Sequence, residues 1–156
     1  MSTSNKHAPQ VTASTLIRRP PAEVFAAFID PVHTTKFWFS KSSGPLSPGA
    51  EAHWEWEMYG AQASVRVAEF QEAERLVVDW TGTDGLRTEF RFVPHADGTV
   101  VTAIESGFTG TAEEAIAYAI DSTGGYTTAL CGAKALLEHG LELGAVRDKF
   151  PDAWVQ

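Results

Sequence analysis

Between residues 50 and 108 the chain alternates between apolar and polar side chains, and this pattern constrains the fold more than any other feature. A period of two is typical of β-strands, because successive side chains point to opposite faces of a sheet. Short links containing glycine and aspartate separate the runs, which favours antiparallel pairing of consecutive strands. The pattern therefore predicts five meandering antiparallel strands over residues 50–59, 63–70, 76–80, 88–94 and 99–108.

When the alternation is phased, one face of the predicted sheet collects thirteen positions, of which twelve are apolar. These positions are Trp54, Trp56, Met58, Val65, Val67, Leu76, Val78, Trp80, Phe90, Phe92, Val101, Ala103 and Glu105. The opposite face collects charged and polar side chains such as Glu55, Arg66 and Asp79. A sheet with one apolar face needs another layer to cover it.

The C-terminal third of the chain predicts the helix that supplies this cover. Thr111 to Glu114 form a capping box, and Gly140 fits a helix C-cap. Two adjacent glycines, Gly124 and Gly125, cost about 2 kcal/mol in a helix interior unless close packing offsets the loss. We favour a break or kink there, with a main helix over 122–139. Helical spacing predicts a buried stripe of Ile116, Ala119, Ile120, Thr123, Thr127, Leu130 and Leu137, in which Ala133 takes the place of Lys134.

The first third of the chain predicts one strand followed by two short helices. Pro21 suits the first turn of a helix, and Asp30-Pro31 combines an N-cap residue with proline at the first helical position. The expected elements are a strand over 11–18, helices over 22–29 and 31–37, and a loop over 40–49.

Composition limits the classes of function that this chain can serve. The 156 residues carry a net charge of −8, which argues against a nucleic-acid partner. No run of 18 apolar residues and no signal-peptide pattern occur, so we expect a cytoplasmic protein without a membrane span. We expect residues 1–10 to be a flexible lead-in, 11–150 a single domain and 151–156 a C-terminal tail.

Several short motifs, in their order along the chain, resemble a known superfamily. They are Arg19 to Phe25, Asp30-Pro31 with Trp38-Phe39, Arg75 to Trp80, Thr102 to Phe108, and Gly125-Tyr126. In this order they resemble the START-like (SRPBCC) superfamily, and within it the bacterial single-domain form of the heat-shock protein 90 ATPase activator homologue family. The resemblance implies an α+β helix-grip fold. This fold has a curved six-stranded antiparallel sheet, two short helices after the first strand, and a long C-terminal helix over the concave face.

The resemblance also raises the expectation of a cavity between sheet and helix. Broad aromatic walls facing small helix residues such as Cys131 fit either an open space or interlocked packing, and we favour the open space. The candidate ligand contacts are Trp38, Trp54, Trp56, Met58, Val67, Trp80, Phe90, Phe92, Ala103, Glu105, Thr123, Tyr126, Thr127 and Leu130.

Glu105 is the one charged residue on the apolar face of the predicted sheet. A buried carboxyl group must be paired, hydrogen-bonded or protonated, so Glu105 is a candidate polar anchor or acid/base. The alternative is a strand-end residue near solvent, or a partner for a nearby Lys or Arg. His53 and Tyr59 are candidates for the cavity mouth. His53, Glu55 and Glu57 share the solvated face of their strand, so we expect no metal site, and no motif predicts a cofactor.

Three hypotheses for function follow. We favour a binding protein for a small apolar or amphipathic molecule over an enzyme. The second hypothesis is a cyclase or dehydratase in which Glu105 moves protons. The third is a chaperone-regulating interaction module, which predicts an exposed apolar patch at Phe37, Trp38 and Phe39. Its partner would be another protein or a second copy of this chain.

Overall fold

The computed structural model of the protein describes residues 9–156, so most of the predicted lead-in lies outside the described residues. Along these residues, seven strands and four helices follow one another, with two short 3-10 turns at Glu57–Tyr59 and Pro151–Ala153. The elements are β1 (Val11–Ile17), α1 (Pro21–Ile29), α2 (Pro31–Phe37), β2 (Lys41–Ser42), β3 (Glu51–Trp56), β4 (Ala61–Gln71), β5 (Arg75–Trp80), β6 (Arg87–His95), β7 (Gly98–Ser106), α3 (Ala112–His139) and α4 (Ala145–Asp148).

All seven strands form a single antiparallel sheet in the order β1-β7-β6-β5-β4-β3-β2. The sheet curls around α3, which confirms the predicted α+β helix-grip fold. A β-bulge in β4 between Val67 and Glu69 contributes to the bend. The sheet has seven strands where six were predicted. The additional strand is β2, which lies inside the predicted loop and pairs with β3. A strand of two residues is too short to show a period of two.

The predicted apolar face of the sheet is the buried face. Of its thirteen positions, ten are buried, including Glu105. Trp56 and Trp80 are half-buried, and Met58 lies outside the sheet because β3 ends at Trp56 and a 3-10 turn follows. The alternation along the sequence thus predicted which side of the sheet faces the core.

The predicted break in α3 at Gly124 and Gly125 was wrong, since the helix runs without interruption over 28 residues. Its ends are well capped. Thr111 and Glu114 form the predicted capping box, and Gly140 adopts the left-handed conformation of a C-cap at φ 66°. Packing against the sheet outweighs the low helix propensity of two glycines, because most helical stability in proteins comes from tertiary contacts.

The predicted buried stripe of α3 was wrong at four of its eight positions. Ala119, Leu130 and Ala133 are buried as predicted and Leu137 is half-buried, but Ile116, Ile120, Thr123 and Thr127 are exposed. Cys131, which was expected to face the aromatic walls, is exposed as well. The buried residues are mostly small ones, namely Ala115, Ala119, Tyr126, Ala129, Leu130, Gly132 and Ala133. Small residues let the helix approach the sheet closely, and the sequence pattern of larger apolar residues pointed to the opposite side.

Candidate functional site

A cavity of about 420 Å³ lies between the sheet, the middle of α3 and the C-terminal segment. Several lining residues, including Tyr118 and Phe150, are about half exposed, so the cavity opens to solvent. The lining residues are Trp38, Trp56, Tyr59, Ala63, Trp80, Thr83, Leu86, Glu105, Tyr118, Asp121, Ser122, Gly125, Tyr126, Val146, Lys149 and Phe150.

Three tryptophans form the apolar wall of the cavity. Trp56 and Trp80 point inward from the concave face of the sheet, and Trp38 is the C-cap residue directly after α2. The Trp38 ring centroid lies 6.4 Å from that of Trp56 and 5.9 Å from that of Tyr126. The aromatic surface therefore extends from the sheet to the helix across the cavity.

Glu105 lies at the closed end of the cavity and is only 2% exposed. Ser122 Oγ donates to Glu105 Oε1 at 2.5 Å. Tyr126 OH and Thr88 Oγ1 donate to Glu105 Oε2 at 3.0 and 3.1 Å. Within residues 9–156, no Lys or Arg forms an ion pair with this carboxyl group. The strand-end alternative was therefore wrong: Glu105 is buried and held by three neutral hydroxyl groups.

A second layer of hydrogen bonding orients this network. Trp80 Nε1 donates to Thr88 Oγ1 at 2.9 Å, so the indole N–H is already paired while Trp80 lines the cavity. Thr88 is fully buried and lies opposite Glu105 in the pairing of β6 with β7. Sequence reasoning missed Thr88, although it occupies the inward phase of its strand with Phe90 and Phe92.

Two tyrosines near Glu105 keep their protons well above neutral pH. Burial and the nearby Glu105 charge hold the pKa of Tyr126 well above its usual value of 10. Burial, with Glu105 and Asp121, raises the pKa of Tyr118 to about 12. Both phenols are therefore neutral hydrogen-bond donors at physiological pH.

The C-terminal segment forms one side of the cavity mouth. Tyr59 OH lies 2.6 and 2.7 Å from the carbonyl oxygens of Val146 and Arg147. The backbone N–H of Val155 donates to the carbonyl of Met58 at 2.8 Å. Sequence reasoning missed the contribution of Val146, Lys149 and Phe150 to the lining, although an apolar spacing of four residues at 146, 150 and 154 was present.

The structure brings together five of the predicted ligand contacts in the cavity lining: Trp38, Trp56, Trp80, Glu105 and Tyr126. Six others lie in the packed core and do not line the cavity: Trp54, Val67, Phe90, Phe92, Ala103 and Leu130. Met58 lies in a smaller groove beside α2, and Thr123 and Thr127 lie on the exposed side of α3.

Other predicted candidates take different positions. Tyr59 lies at the mouth, as predicted, whereas the ring of His53 is hydrogen-bonded to Ser64 and Gln62 on the neighbouring strand. The exposed patch predicted by the interaction-module hypothesis is absent, since Phe37 and Phe39 are buried and Trp38 lines the cavity.

Among residues 9–156, no group of three or more His, Cys, Asp or Glu side chains could hold a metal ion. Within the same residues, no helix combines the length and hydrophobicity needed to cross a membrane.

Comparison with known proteins gives one family match and many structural neighbours. A sequence model of the family described as Activator of Hsp90 ATPase homolog 1-like protein matches residues 18–131. No curated protein sequence matches the chain.

Three solved structures illustrate the structural similarity. A Staphylococcus saprophyticus protein is 25% identical with a TM-score of 0.77, and the match covers 88% of this chain and 97% of that one. The Aha1 dimer from Colwellia psychrerythraea is 16% identical with a TM-score of 0.74, over 85% and 98% of the two chains. CalU16 from Micromonospora echinospora is 18% identical with a TM-score of 0.65, over 93% and 85%.

Proposed function

The chain belongs to the Activator of Hsp90 ATPase homolog 1-like family, within the START-like superfamily that its motifs resemble, and from that premise we propose that it binds a small apolar or amphipathic molecule. The ligand occupies the cavity between the sheet and α3. The observation that carries this proposal is an open cavity of about 420 Å³ with three tryptophans on one side and one buried carboxyl group at its end. Small-molecule sites typically combine an apolar lining, a few polar groups and a volume of about 300–1,000 Å³.

The energetics of the lining support binding by shape and apolar contact. Trp38, Trp56 and Trp80 are each half-buried in the free protein, so a ligand would remove further aromatic surface from water. Each Å² of apolar surface removed contributes roughly 25 cal/mol, less the cost of ordering the ligand. Preformed hydrogen bonds around Glu105 keep the polar end from reorganising when a ligand enters.

The test uses a variant that fills the cavity from the helix. A Cβ atom placed on Gly125 would have no heavy atom within 4 Å, so a Gly125→Leu side chain can enter the cavity without a clash at its first atom. Thr127→Leu adds the same side chain to the exposed side of α3 and is the matched control. Both variants are titrated with the neutral dye N-phenyl-1-naphthylamine, while fluorescence and melting temperature are followed.

We expect the wild type and Thr127→Leu to bind the dye saturably and to melt at a higher temperature when the dye is bound. We expect Gly125→Leu to lose both effects while its circular dichroism spectrum stays unchanged. Equal binding by Gly125→Leu, or binding without stabilisation in the wild type, would contradict it.

A second candidate function is an enzyme of the cyclase or dehydratase kind. It is favoured by the position of Glu105, which lies inside the cavity within 3.0 Å of the titratable Tyr126. General acid–base catalysis requires such a group within hydrogen-bond reach of the substrate. We expect an enzyme to lose turnover of a bound β-hydroxyketone in Glu105→Gln while dye binding persists. Product formation is measured by mass spectrometry, and equal product with and without protein would exclude this candidate for that substrate.

A homodimer is the remaining proposal for a partner. The Aha1 from Colwellia psychrerythraea, which shares this fold, is a dimer in its solution structure. Light scattering at several protein concentrations would distinguish a monomer of 16.9 kDa from a dimer of twice that mass.

A further inference from the structure

We propose that the molecule bound in this cavity carries an organic ammonium group, held between the Glu105 carboxylate and the aromatic faces around it. The proposal rests on the binding function proposed above and names the chemical class of its ligand. Three features of the lining lead to it, namely the distribution of charge, the distribution of hydrogen-bond donors and acceptors, and the aromatic surfaces.

Charge is the first feature. The lining contains two carboxyl groups, Glu105 and Asp121, and a single cationic group, Lys149. Lys149 stands at the mouth, with Nζ 5.2 Å from the Phe150 ring centroid and 3.0 Å from where a Cβ atom on Gly124 would lie. Glu105 at the closed end has no cationic partner within residues 9–156, and a buried charge without a partner is costly. A cationic ligand would supply the missing partner.

The hydrogen-bond inventory at the closed end is the second feature. Ser122 donates to Glu105 Oε1, and the N–H of Trp80 is donated to Thr88. The Tyr126 and Thr88 hydroxyl groups lie 3.0 and 3.1 Å from Glu105 Oε2 and 2.8 Å from each other. Glu105 therefore accepts two or three hydrogen bonds from these groups, out of about four that a carboxylate can accept. At Glu105 an incoming acceptor, such as a carboxylate ligand, therefore meets no free donor among these groups, whereas an incoming N–H group meets a free acceptor position. The other donors of the lining, the Tyr118 phenol and the Lys149 ammonium group, belong to exposed residues.

Aromatic faces are the third feature. Trp38, Trp56 and Trp80 present rings to the cavity, and the Tyr126 ring lies 5.9 Å from that of Trp38. The negative face of an aromatic ring attracts a cation within about 6 Å of its centroid, and the attraction is strongest for tryptophan. The phenols of Tyr118 and Tyr126 stay neutral, so they remain donors rather than adding charge. The aromatic rings and the carboxyl groups of the lining thus both favour a positively charged ligand.

The experiment compares three probes that share a naphthalene ring and differ in one group. They are 2-(1-naphthyl)ethylamine, 2-(1-naphthyl)ethanol and 1-naphthylacetic acid, and the dissociation constant of each is measured by calorimetry at pH 7. We expect the amine to bind on the order of tenfold more tightly than the alcohol, and the acid to bind most weakly.

Glu105→Gln replaces the carboxyl group by an amide of the same shape. We expect this variant to bind the amine and the alcohol about equally, with the affinity for the alcohol retained. Glu72→Gln, on an exposed turn, changes the net charge by the same amount and is the matched control. Lys149→Met removes the positive charge at the mouth, and we expect it to increase the preference for the amine over the acid.

The failures of the two proposals are distinguishable. If the alcohol or the acid binds as tightly as the amine, and Gly125→Leu abolishes that binding, the cavity is a binding site and the ammonium proposal is wrong. If none of the three probes and no neutral dye binds, the binding function itself is wrong. The order of the three probes in the wild type is decisive even if Glu105→Gln does not fold.

Discussion

The space between the sheet and α3 is filled in one half and open in the other, although the same helix covers both. In the filled half, α1 inserts Phe25 and Phe28, whose ring centroids lie 5.1 and 5.5 Å from that of Phe92. In the open half, the three tryptophans of the wall face a cavity whose mouth the C-terminal segment borders. The difference teaches that a covering helix closes a curled sheet only where a further layer of side chains fills the gap.

Two glycines of α3 show the same contrast within one element. A Cβ atom on Gly132 would lie 3.2 Å from Cβ and 3.4 Å from the carbonyl oxygen of Phe37, so the missing side chain allows close packing with α2. A Cβ atom on Gly125 would contact nothing within 4 Å. One glycine therefore permits contact and the other leaves space, which separates a structural role from one in the cavity.

The largest difference in stability is expected between alanine variants of two tryptophans that lie two residues apart in β3. Trp54 is 1% exposed and stacks on Phe39 with a centroid distance of 4.4 Å, whereas Trp56 lines the cavity and is half-buried. We expect Trp54→Ala to reduce the free energy of unfolding by about 3–5 kcal/mol. Trp56→Ala should reduce it by only about 1 kcal/mol and weaken ligand binding instead. Urea denaturation measures both changes, and equal losses would mean that Trp54 and Trp56 are packed alike.

The next effect concerns alkaline pH and the polar end of the cavity. Unfolded tyrosine loses its proton near pH 10, but folded Tyr126 retains its proton because its pKa is raised. Above pH 10 the unfolded state therefore binds fewer protons, and stability falls as pH rises, by up to about 1.4 kcal/mol per pH unit for this group. Tyr126→Phe should show a shallower fall between pH 9 and 11. Urea midpoints that decline in parallel in the two proteins would show that Tyr126 is not the cause.

The smallest effect compares the same substitution at the two glycines of α3. Gly125→Ala should raise the free energy of unfolding by up to about 1 kcal/mol, because alanine favours the helix and the methyl group enters open space. Gly132→Ala has the same gain in propensity, but its methyl group must displace Phe37, so the net gain should be smaller or negative. Thermal and urea unfolding measure the difference. An equal gain at both positions would mean that Gly132 is not a packing contact.

Part of the candidate site could be predicted because it depends on the period of a strand. Trp56, Trp80 and Glu105 share one phase of the alternation, and all three line the cavity. The same phase also contains Phe90 and Phe92, which lie in the core because α1 packs over them. Alternation predicts the face of a sheet, and it cannot distinguish positions on that face that are covered by different elements.

The helical part of the site was harder to predict. Ser122 and Tyr126 are four residues apart and both donate to Glu105, but the larger apolar residues Ile116 and Ile120 pointed to the other side of α3. Burial of small residues leaves little hydrophobic signal, since alanine and glycine have little surface to remove from water. Thr88 was missed for a related reason, because threonine is common on both faces of a sheet.

The sequence by itself determined the six longer strands, the two short helices after β1, the capped ends of α3, the apolar face of the sheet, and the isolated carboxyl group of Glu105 on that face. These properties follow from local periodicity and from capping residues, which act over a few positions of the chain. Only the tertiary structure decided the continuity of α3 through Gly125, the partners of Glu105, and the approach of Phe150 to the cavity mouth. These depend on contacts between residues far apart in the chain, whose energies exceed the local preferences that a sequence displays.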